Sequence, residues 1–260
     1  MDISLVQYAL GGVSGLFVGF ILGLVGGGGS ILAVPLIVYV VGVSDPHVAI
    51  GTTAVAVAVN AAINLMTHAR AGIVKWSCAG LFAATGIVGA FLGSSLGKAI
   101  DGQKLLFLFA LLMFAVGFLM LRRRKLDGEP DVKLCAANAP KLAGLGFLTG
   151  GLSGFFGIGG GFLIVPGLML ATGMPILNAV GSSLLAVGAF GITTAFNYAL
   201  SGWVDWLLAA VFIAGGILGG LGGVKLAHDL AARRGMLNAV FASLIFVVAA
   251  YVLYRSRGAF

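Results

Sequence analysis

The sequence predicts an all-α, polytopic membrane protein built from two homologous halves, each starting with a glycine-broken or re-entrant helical hairpin. Three observations support this prediction. First, 60% of the 260 residues are hydrophobic and only 9% are charged, whereas soluble domains carry about 25% charged residues. Second, residues 5–44 and 142–204 contain no charged side chain, and each run exceeds the roughly 20 apolar residues that cross a bilayer. Third, the glycines and prolines of the first half recur in the second.

Ten apolar segments, separated by polar or turn-forming residues, predict the helices. They cover residues 5–24, 30–43, 47–67, 76–97, 104–121, 142–156, 161–172, 176–199, 206–227 and 236–254. The segments 30–43 and 161–172 are too short to cross a membrane alone, because a helix rises about 1.5 Å per residue. A glycine cluster joins each of them to the preceding segment. We therefore expect a discontinuous helix or re-entrant hairpin whose break lies inside the membrane.

The segment 122–141 is the predicted cytoplasmic linker. It concentrates basic residues, namely Arg122, Arg123, Arg124, Lys125, Lys133 and Lys141. Pro130 and Pro140 prevent either flanking helix from continuing through it. Basic connections lie preferentially on the cytoplasmic side. The linker divides the chain into a first membrane repeat, residues 1–121, and a second membrane repeat, residues 142–260.

The two halves align when the sequence is shifted by about 130 positions. The shift superimposes Gly19, Gly23, Gly26, Gly28, Gly29 and Pro35 on Gly150, Gly154, Gly157, Gly159, Gly160 and Pro166. It also superimposes Pro46, Gly51, Gly72 and Trp76 on Pro175, Gly181, Gly202 and Trp206. A hairpin that returns to its own side makes the repeats inverted, whereas a broken element that crosses makes them parallel. We favour inverted repeats, because many transporters combine them with broken helices.

The two glycine clusters are the first candidates for a binding site. They comprise Gly26, Gly27, Gly28, Gly29 and Ser30 in the first half, and Gly157, Gly159, Gly160 and Gly161 in the second. A helix that starts after a break exposes N–H donors and about half a positive charge. Two such ends facing one point would bind an anion without a basic side chain. The alternative is close packing through small residues, which we assign to scattered glycines such as Gly86, Gly89 and Gly93.

Polar residues that follow the hairpins form the second group of candidates. Hydroxyls at Thr52, Thr53, Ser182 and Ser183 either bind the substrate or bond back to their own helix. The amides of Asn60, Asn64 and Asn197 either line the site or hold helices together. His68 and Arg70 are candidates for gating or coupling, with an interfacial position as the alternative.

Residues for catalysis do not form a recognisable pattern in this sequence. No Asp or Glu lies within a predicted span, although cation transporters and proton relays usually carry an intramembrane acid. The sequence therefore predicts a transporter of anions rather than an enzyme, with no cofactor and no metal. The expected partners are a small anionic substrate and the lipid bilayer, without nucleic acid, and the sequence allows a homodimer.

The glycine and proline pattern resembles the sulfite exporter TauE/SafE family of membrane permeases. The resemblance rests on residues 23–35 followed by 46–53, and on residues 150–166 followed by 175–183. It implies a multi-pass carrier in the plasma (inner) membrane that exports small sulfur-containing anions, such as sulfite, sulfoacetate or other organosulfonates. Ser30 departs from the repeat, because Gly161 occupies the equivalent position. An anion channel lined by the same hairpins, and a membrane scaffold that transports nothing, remain the alternatives.

Overall fold

The computed structural model describes residues 4–122, 134–136, 138–157, 161–231 and 236–255. Within these ranges the chain is all-helical. The helices are α1 (Leu5–Val25), α2 (Ala33–Leu36), α3 (Pro46–Arg70), α4 (Trp76–Gly97), α5 (Gly102–Arg122), α6 (Ala139–Phe156), α7 (Gly161–Thr172), α8 (Ile176–Ala199), α9 (Trp206–Ala231) and α10 (Met236–Arg255). Most of the predicted linker 122–141 lies outside the described residues.

The structure differs from the predicted segments in the first hairpin. The sequence places residues 26–29 between two helices, but Gly26–Leu32 forms a 3-10 helix and Ile37–Val41 a π-helical turn around α2. The chain is therefore helical from Gly26 to Val41. Four successive residues without Cβ atoms can adopt this tight winding in a crowded interior, where bulkier residues would collide.

Acidic residues mark the starts of three helices. Asp45 accepts a hydrogen bond from the His47 N–H at 2.8 Å, and Asp205 accepts one from the Leu208 N–H at 2.9 Å. Asp101 accepts from the backbone N–H groups of residues 103 and 104. Carboxylates are favourable at helix N-termini because unpaired N–H groups and the helix dipole are concentrated there. These acids thus lie at helix ends rather than within the apolar spans.

Five described helical segments are long and apolar enough to cross a membrane. They are Leu5–Val41, Pro46–Arg70, Trp76–Gly97, Ile176–Ala199 and Trp206–Ala227. Large apolar side chains cover the outside of the helices, among them Leu16, Phe17, Val88, Phe91, Leu148 and Leu218. Such an outer surface suits lipid, while the contacts between helices are made by small residues. The chain is therefore a helical membrane protein.

The first helix of each half packs against the fourth helix of the other half. The most extensive helix contacts are those of α1 with α9 and of α6 with α4. A side chain at Gly19 would collide with the backbone of Gly216, and one at Gly150 with the backbone of Gly86. Glycine at these crossings lets the two backbones approach closely, which is how helices associate inside a bilayer. The halves are consequently interlocked rather than placed side by side.

Helices α3 and α8 occupy equivalent positions in the two halves and run antiparallel. Gly51, near the start of α3, faces Tyr198 near the end of α8 and Trp203 just beyond that helix. At the other end, Gly181 of α8 faces His68 of α3. The two helices therefore end at opposite ends of the helix bundle.

Candidate functional site

The first hairpin turns at Gly26 and folds back along α1. Gly26 adopts φ = 65°, a conformation that side-chain-bearing residues rarely take. Gly29 then packs against the backbone of Leu22 in α1. At the far end of the hairpin, the Gln7 side chain donates a hydrogen bond to the Val41 carbonyl oxygen at 3.0 Å. Residues 26–41 thus return to the level at which α1 begins.

The second hairpin has a similar course. Helix α6 ends at Phe156. The next residue, Gly157, adopts φ = 67° and donates its N–H to the Gly154 carbonyl oxygen at 3.1 Å. Helix α7 begins at Gly161 and runs back along α6, so that Gly167 faces Thr149. The predicted site residues Gly159 and Gly160 lie outside the described residues.

The tips of the two hairpins meet in the protein interior. Gly27 of the first hairpin lies directly against Gly161 of the second, and a Cβ at either position would collide with the other glycine. The Gly27 N–H donates to Ser183 Oγ at 3.0 Å, and the Gly161 N–H donates to Ser30 Oγ at 3.3 Å. Each half therefore supplies a hydroxyl to a backbone N–H of the other half.

Each of the two serine hydroxyls accepts one hydrogen bond and donates another. Ser30 Oγ donates to the Gly27 carbonyl oxygen at 2.8 Å, and Ser183 Oγ donates to the Val180 carbonyl oxygen at 2.8 Å. Both side chains are 0% exposed. The tip thus brings uncharged N–H and O–H groups together in a buried environment, where a hydrogen bond to a charged oxygen is stronger than in water.

Thr53 is the counterpart of Ser183 in the repeat, yet it makes different contacts. Its hydroxyl donates to the carbonyl oxygens of Ala49 at 2.8 Å and Ile50 at 3.1 Å, within its own helix. Gly157 of the second hairpin packs against the Ile50 side chain. The described hydroxyl contacts at the tips are therefore made by Ser30 and Ser183.

Thr52 and Ser182 lie away from the hairpin tips. Thr52 Oγ1 accepts a hydrogen bond from the Asp205 N–H at 2.9 Å, and Ser182 Oγ accepts one from the Lys75 N–H at 2.8 Å. Residues 75 and 205 directly precede α4 and α9. These hydroxyls therefore fix the loops of the opposite half. The sequence could not distinguish the roles of Thr52 and Ser182 from those of the next residues, because each half carries two adjacent hydroxyl residues at this point.

Three predicted site residues follow one another along the same face of α3. Asn64 Nδ2 donates to the Asn60 carbonyl oxygen at 3.0 Å. The Asn60 amide packs against Gly216, and within the described residues neither its nitrogen nor its oxygen has a hydrogen-bond partner. His68 Nε2 lies 3.2 Å from the Gly23 carbonyl oxygen. This face of α3 thus borders the end of α1, next to the first hairpin.

Asn197 belongs to a separate polar cluster at the C-terminal ends of α4 and α8. Its Nδ2 donates to Ser94 Oγ at 2.7 Å and to Ser95 Oγ at 3.0 Å. Lys98 Nζ donates to Asn197 Oδ1 at 2.8 Å and to Ser201 Oγ at 2.9 Å. The sequence offered no motif for Lys98, which becomes relevant only because α4 and α8 end together.

Arg70, the remaining predicted residue, is the exposed last residue of α3. Among serines and threonines, the sequence analysis missed two buried hydroxyls, those of Ser153 and Thr194, and neither has a hydrogen-bond partner within the described residues. The repeat carried a signal for Thr194, because a shift of 130 positions places it on Asn64. The described residues contain no cluster of His, Cys, Asp or Glu that could hold a metal ion.

Comparisons with known proteins indicate a family of membrane transporters. The family model described as sulfite exporter TauE/SafE matches residues 12–252. A probable membrane transporter protein of Xylella fastidiosa is 56% identical over 248 residues, covering 94% of each chain. Another from Bacillus subtilis is 26% identical and covers 80% of this chain and 84% of its own. A third, from Methanocaldococcus jannaschii, is 29% identical and covers 75% of this chain and 72% of its own. No solved structure gives a significant match.

Proposed function

This chain belongs to the sulfite exporter TauE/SafE family, and from that premise we propose that it exports small sulfur-containing anions, such as sulfite, sulfoacetate or other organosulfonates, across the inner membrane. Family and relatives make it a membrane transporter rather than an enzyme. The substrate, the direction and the membrane are our proposal. We further propose that it is a secondary carrier, which alternates access to one buried site.

The contact between the two hairpin tips is the observation that carries this proposal. At that point the N–H groups of Gly27 and Gly161 and the hydroxyls of Ser30 and Ser183 lie together in the interior. A sulfonate or sulfite presents several oxygens that accept hydrogen bonds from such donors. Backbone N–H groups at helix starts bind anions without a basic side chain. The buried polar side chains of the described residues include no Asp or Glu that would repel an anion.

We propose that residues 1–121 and 142–260 are inverted repeats. The antiparallel course of α3 and α8 supports this orientation, because a two-fold axis that exchanges antiparallel helices lies in the membrane plane. The bond between Gln7 and the Val41 carbonyl oxygen supports a hairpin that re-enters on its own side. In this scheme the 122–141 segment is the cytoplasmic linker between the repeats.

In the proposed cycle, the anion replaces hydrogen bonds that the hairpins make with each other. A bound anion accepts the N–H groups that now donate to Ser30 and Ser183. The two hydroxyls, which now donate to the Gly27 and Val180 carbonyl oxygens, turn and donate to the anion as well. The tips can then separate toward one side without leaving buried donors unpaired, which would cost about 1–3 kcal/mol each. We place Asn60 and Asn64 beside this path. Thr52 and Ser182 act in the loops.

Replacing Gly27 with alanine tests the site. The new methyl group would meet the Gly161 backbone and the Val187 side chain, so the tips could not form the binding arrangement. Purified wild-type protein in proteoliposomes should exchange external radiolabelled sulfite for internal sulfite, at a rate that saturates with sulfite concentration. For Gly27→Ala we expect an exchange rate lower by about tenfold or more. The matched control is Gly80→Ala in α4, where a Cβ meets nothing within 4 Å.

Wild-type flux that is linear with concentration and shows no exchange would instead indicate a channel. Full exchange by a correctly folded Gly27→Ala protein would contradict the site. If that variant does not fold, the double variant Ser30→Ala, Ser183→Ala removes the hydroxyls without adding bulk, and it should lose exchange as well. Competition by sulfoacetate, thiosulfate, sulfate and taurine against sulfite exchange then ranks the substrates.

A further inference from the structure

Lys98 is a cation that uncharged groups hold at one end of the helix bundle. It directly follows α4 and is half-buried. Its Nζ donates to the Asn197 carbonyl oxygen at 3.1 Å, to Asn197 Oδ1 at 2.8 Å and to Ser201 Oγ at 2.9 Å. All three acceptors are neutral. Cations in the membrane region of a protein pair with an acid or a carbonyl oxygen, or mark the path of an ion.

Capping of α8 accounts for one of these three bonds. The Asn197 carbonyl oxygen lies in the last turn of α8, where carbonyl oxygens lack partners within the helix and the helix dipole favours a cation. A cap of this kind requires only the contact with the carbonyl oxygen. It does not explain why the side chain of Asn197 and the hydroxyl of Ser201 also bind the ammonium group.

The side chain of Asn197 fixes the position of the ammonium group. Because an ammonium group can only donate, it faces the amide oxygen of Asn197. The amide nitrogen then donates to Ser94 Oγ at 2.7 Å and to Ser95 Oγ at 3.0 Å. Asn197 and Ser94 are buried, whereas Ser95 and Ser201 are exposed. The cluster thus has a buried part that holds Lys98 and an outer part that a ligand reaches from outside the protein.

The described acids at this end of the bundle have other partners. Asp45, Asp101 and Asp205 precede α3, α5 and α9, and each accepts a backbone N–H at the start of its helix. The partial positive charge of each helix N-terminus offsets the charge of the carboxylate. The positive charge of Lys98 is therefore available to an anion.

Helix α8 connects this cluster with the hairpin tips. Val187 of α8 faces Gly27 at the tip of the first hairpin. Asn197 follows Val187 by ten residues of one continuous helix, which corresponds to about 15 Å. The hydrocarbon core of a bilayer is about 30 Å thick. With the tips near the middle of the membrane, Lys98 consequently lies near its surface.

Thr194 carries an unused hydroxyl group between these two points. It precedes Asn197 by three residues, so that both side chains share one face of α8. It is 0% exposed, and its Oγ1 has no hydrogen-bond partner within the described residues. The adjacent Thr193 instead donates to the Ala189 carbonyl oxygen at 2.8 Å, which is the usual bond of a helical threonine. A polar ligand that moves between the tips and Lys98 therefore passes a free hydroxyl group.

Lys98 lies at the end of the bundle opposite to the 122–141 segment. Helix α6 begins after that segment and runs parallel to α4, because Gly146 packs at Phe82 and Phe155 packs at Gly97. Both helices thus start at one end of the bundle, and Lys98 follows α4 at the other. With a cytoplasmic linker, Lys98 is on the outer side of the membrane, where an exported anion is released.

We propose that Lys98 binds the transported anion at a second site, between the hairpin tips and the outer surface. The anion replaces the exposed Ser201 hydroxyl as an acceptor of the ammonium group, while Asn197 keeps that group in place. A cation at this point attracts the anion toward the surface, because a charge in a cleft raises the local concentration of its counter-ion. This inference rests on the proposed function and adds a second binding site to it.

The test is the variant Lys98→Met, which keeps the length of the side chain and removes its charge. We expect the sulfite concentration that gives half-maximal exchange in proteoliposomes to rise by about tenfold, because hydrogen bonds to charged groups are strong. Lys98→Arg keeps the charge and should stay close to the wild type. The matched control is Lys104→Met, which removes an exposed cation from the same end of the bundle and should leave half-saturation unchanged. Added salt should weaken half-saturation of the wild type more than that of Lys98→Met, because salt screens charges.

Unchanged half-saturation of a folded Lys98→Met protein would overturn the inference, since a capping role alone lowers only the melting temperature. If the variant does not fold, labelling of lysines in the wild-type protein with an amine-reactive reagent decides. Sulfoacetate is the probe here, because sulfite reacts with such reagents. It should slow the labelling of Lys98 and not that of Lys104, as measured by mass spectrometry. Equal labelling of Lys98 with and without sulfoacetate would overturn the inference too. Failure of the proposed function looks different, because the wild-type protein would then show no exchange at all.

Discussion

Ser182 and Ser183 are neighbours in the chain, but their hydroxyls bind different parts of the protein. Successive residues of an α-helix point about 100° apart, because a turn holds about 3.6 residues. Ser182 consequently faces the Lys75 N–H, whereas Ser183 faces the Gly27 N–H at the hairpin tip. One hydroxyl fixes a loop, and the other borders the proposed anion site.

This division predicts different outcomes for two neighbouring alanine substitutions. Ser183→Ala should weaken sulfite binding about tenfold, because hydrogen bonds to charged groups contribute about 1.5–3 kcal/mol. Ser182→Ala should leave binding unchanged and lower the free energy of unfolding by about 1 kcal/mol, since the Lys75 N–H loses its acceptor. Thermal unfolding with and without sulfite measures both effects. Unchanged or tighter sulfite binding by Ser183→Ala would contradict its assigned role.

At the scale of the helices, glycines set the distances between neighbouring elements. Helices α4 and α6 approach each other at Gly86 and Gly150, where a side chain on either helix would strike the other backbone. The scattered glycines Gly86, Gly89 and Gly93 thus have the packing role that the sequence suggested for them. Gly27 and Gly161 bring the two tips together in the same way, but at a point with polar donors.

Two valine substitutions in α6 should distinguish the effect of helix packing on stability from the effect of helix propensity. Gly150→Val places a branched side chain against the Gly86 backbone, whereas a Cβ at Gly144 meets nothing within 4 Å. We expect Gly150→Val to lower the melting temperature and the yield of folded protein, because overpacking typically costs about 1–3 kcal/mol. Gly144→Val should remain close to wild type. Equal stability of the two variants in detergent would refute close packing of α4 and α6.

At the scale of the whole molecule, the antiparallel course of α3 and α8 supports the inverted repeats that we propose. Gly181 faces His68 while Gly51 faces Trp203, so the segments after the two helices lie at opposite ends of the bundle. Parallel repeats would instead place equivalent loops on the same side. The proposed alternation of access depends on this orientation, because inverted repeats can exchange their conformations between the two sides.

Cysteine labelling tests the orientation directly. Ala71 and Ser201 occupy equivalent, exposed positions after α3 and α8. With Cys78 and Cys135 replaced by alanine, Ala71→Cys and Ser201→Cys should react with a membrane-impermeant maleimide from opposite sides. Labelling of intact cells and of inverted vesicles distinguishes the two faces. Reaction of both cysteines from the same side would exclude inverted repeats.

The sequence by itself determined the membrane class and the positions of nearly all the helices, and it predicted the duplication and the two glycine-broken hairpins. These features depend on composition and on residues close together in the chain, such as the uncharged runs and the clusters after α1 and α6. The contacts between the two halves could not be predicted from the sequence. Only the tertiary structure placed Gly27 against Gly161, assigned Ser183 to the tip and Ser182 to a loop, and set His68 beside Gly23. Such pairs are far apart in the chain, and each depends on helix rotation and on the distance that glycine allows between backbones.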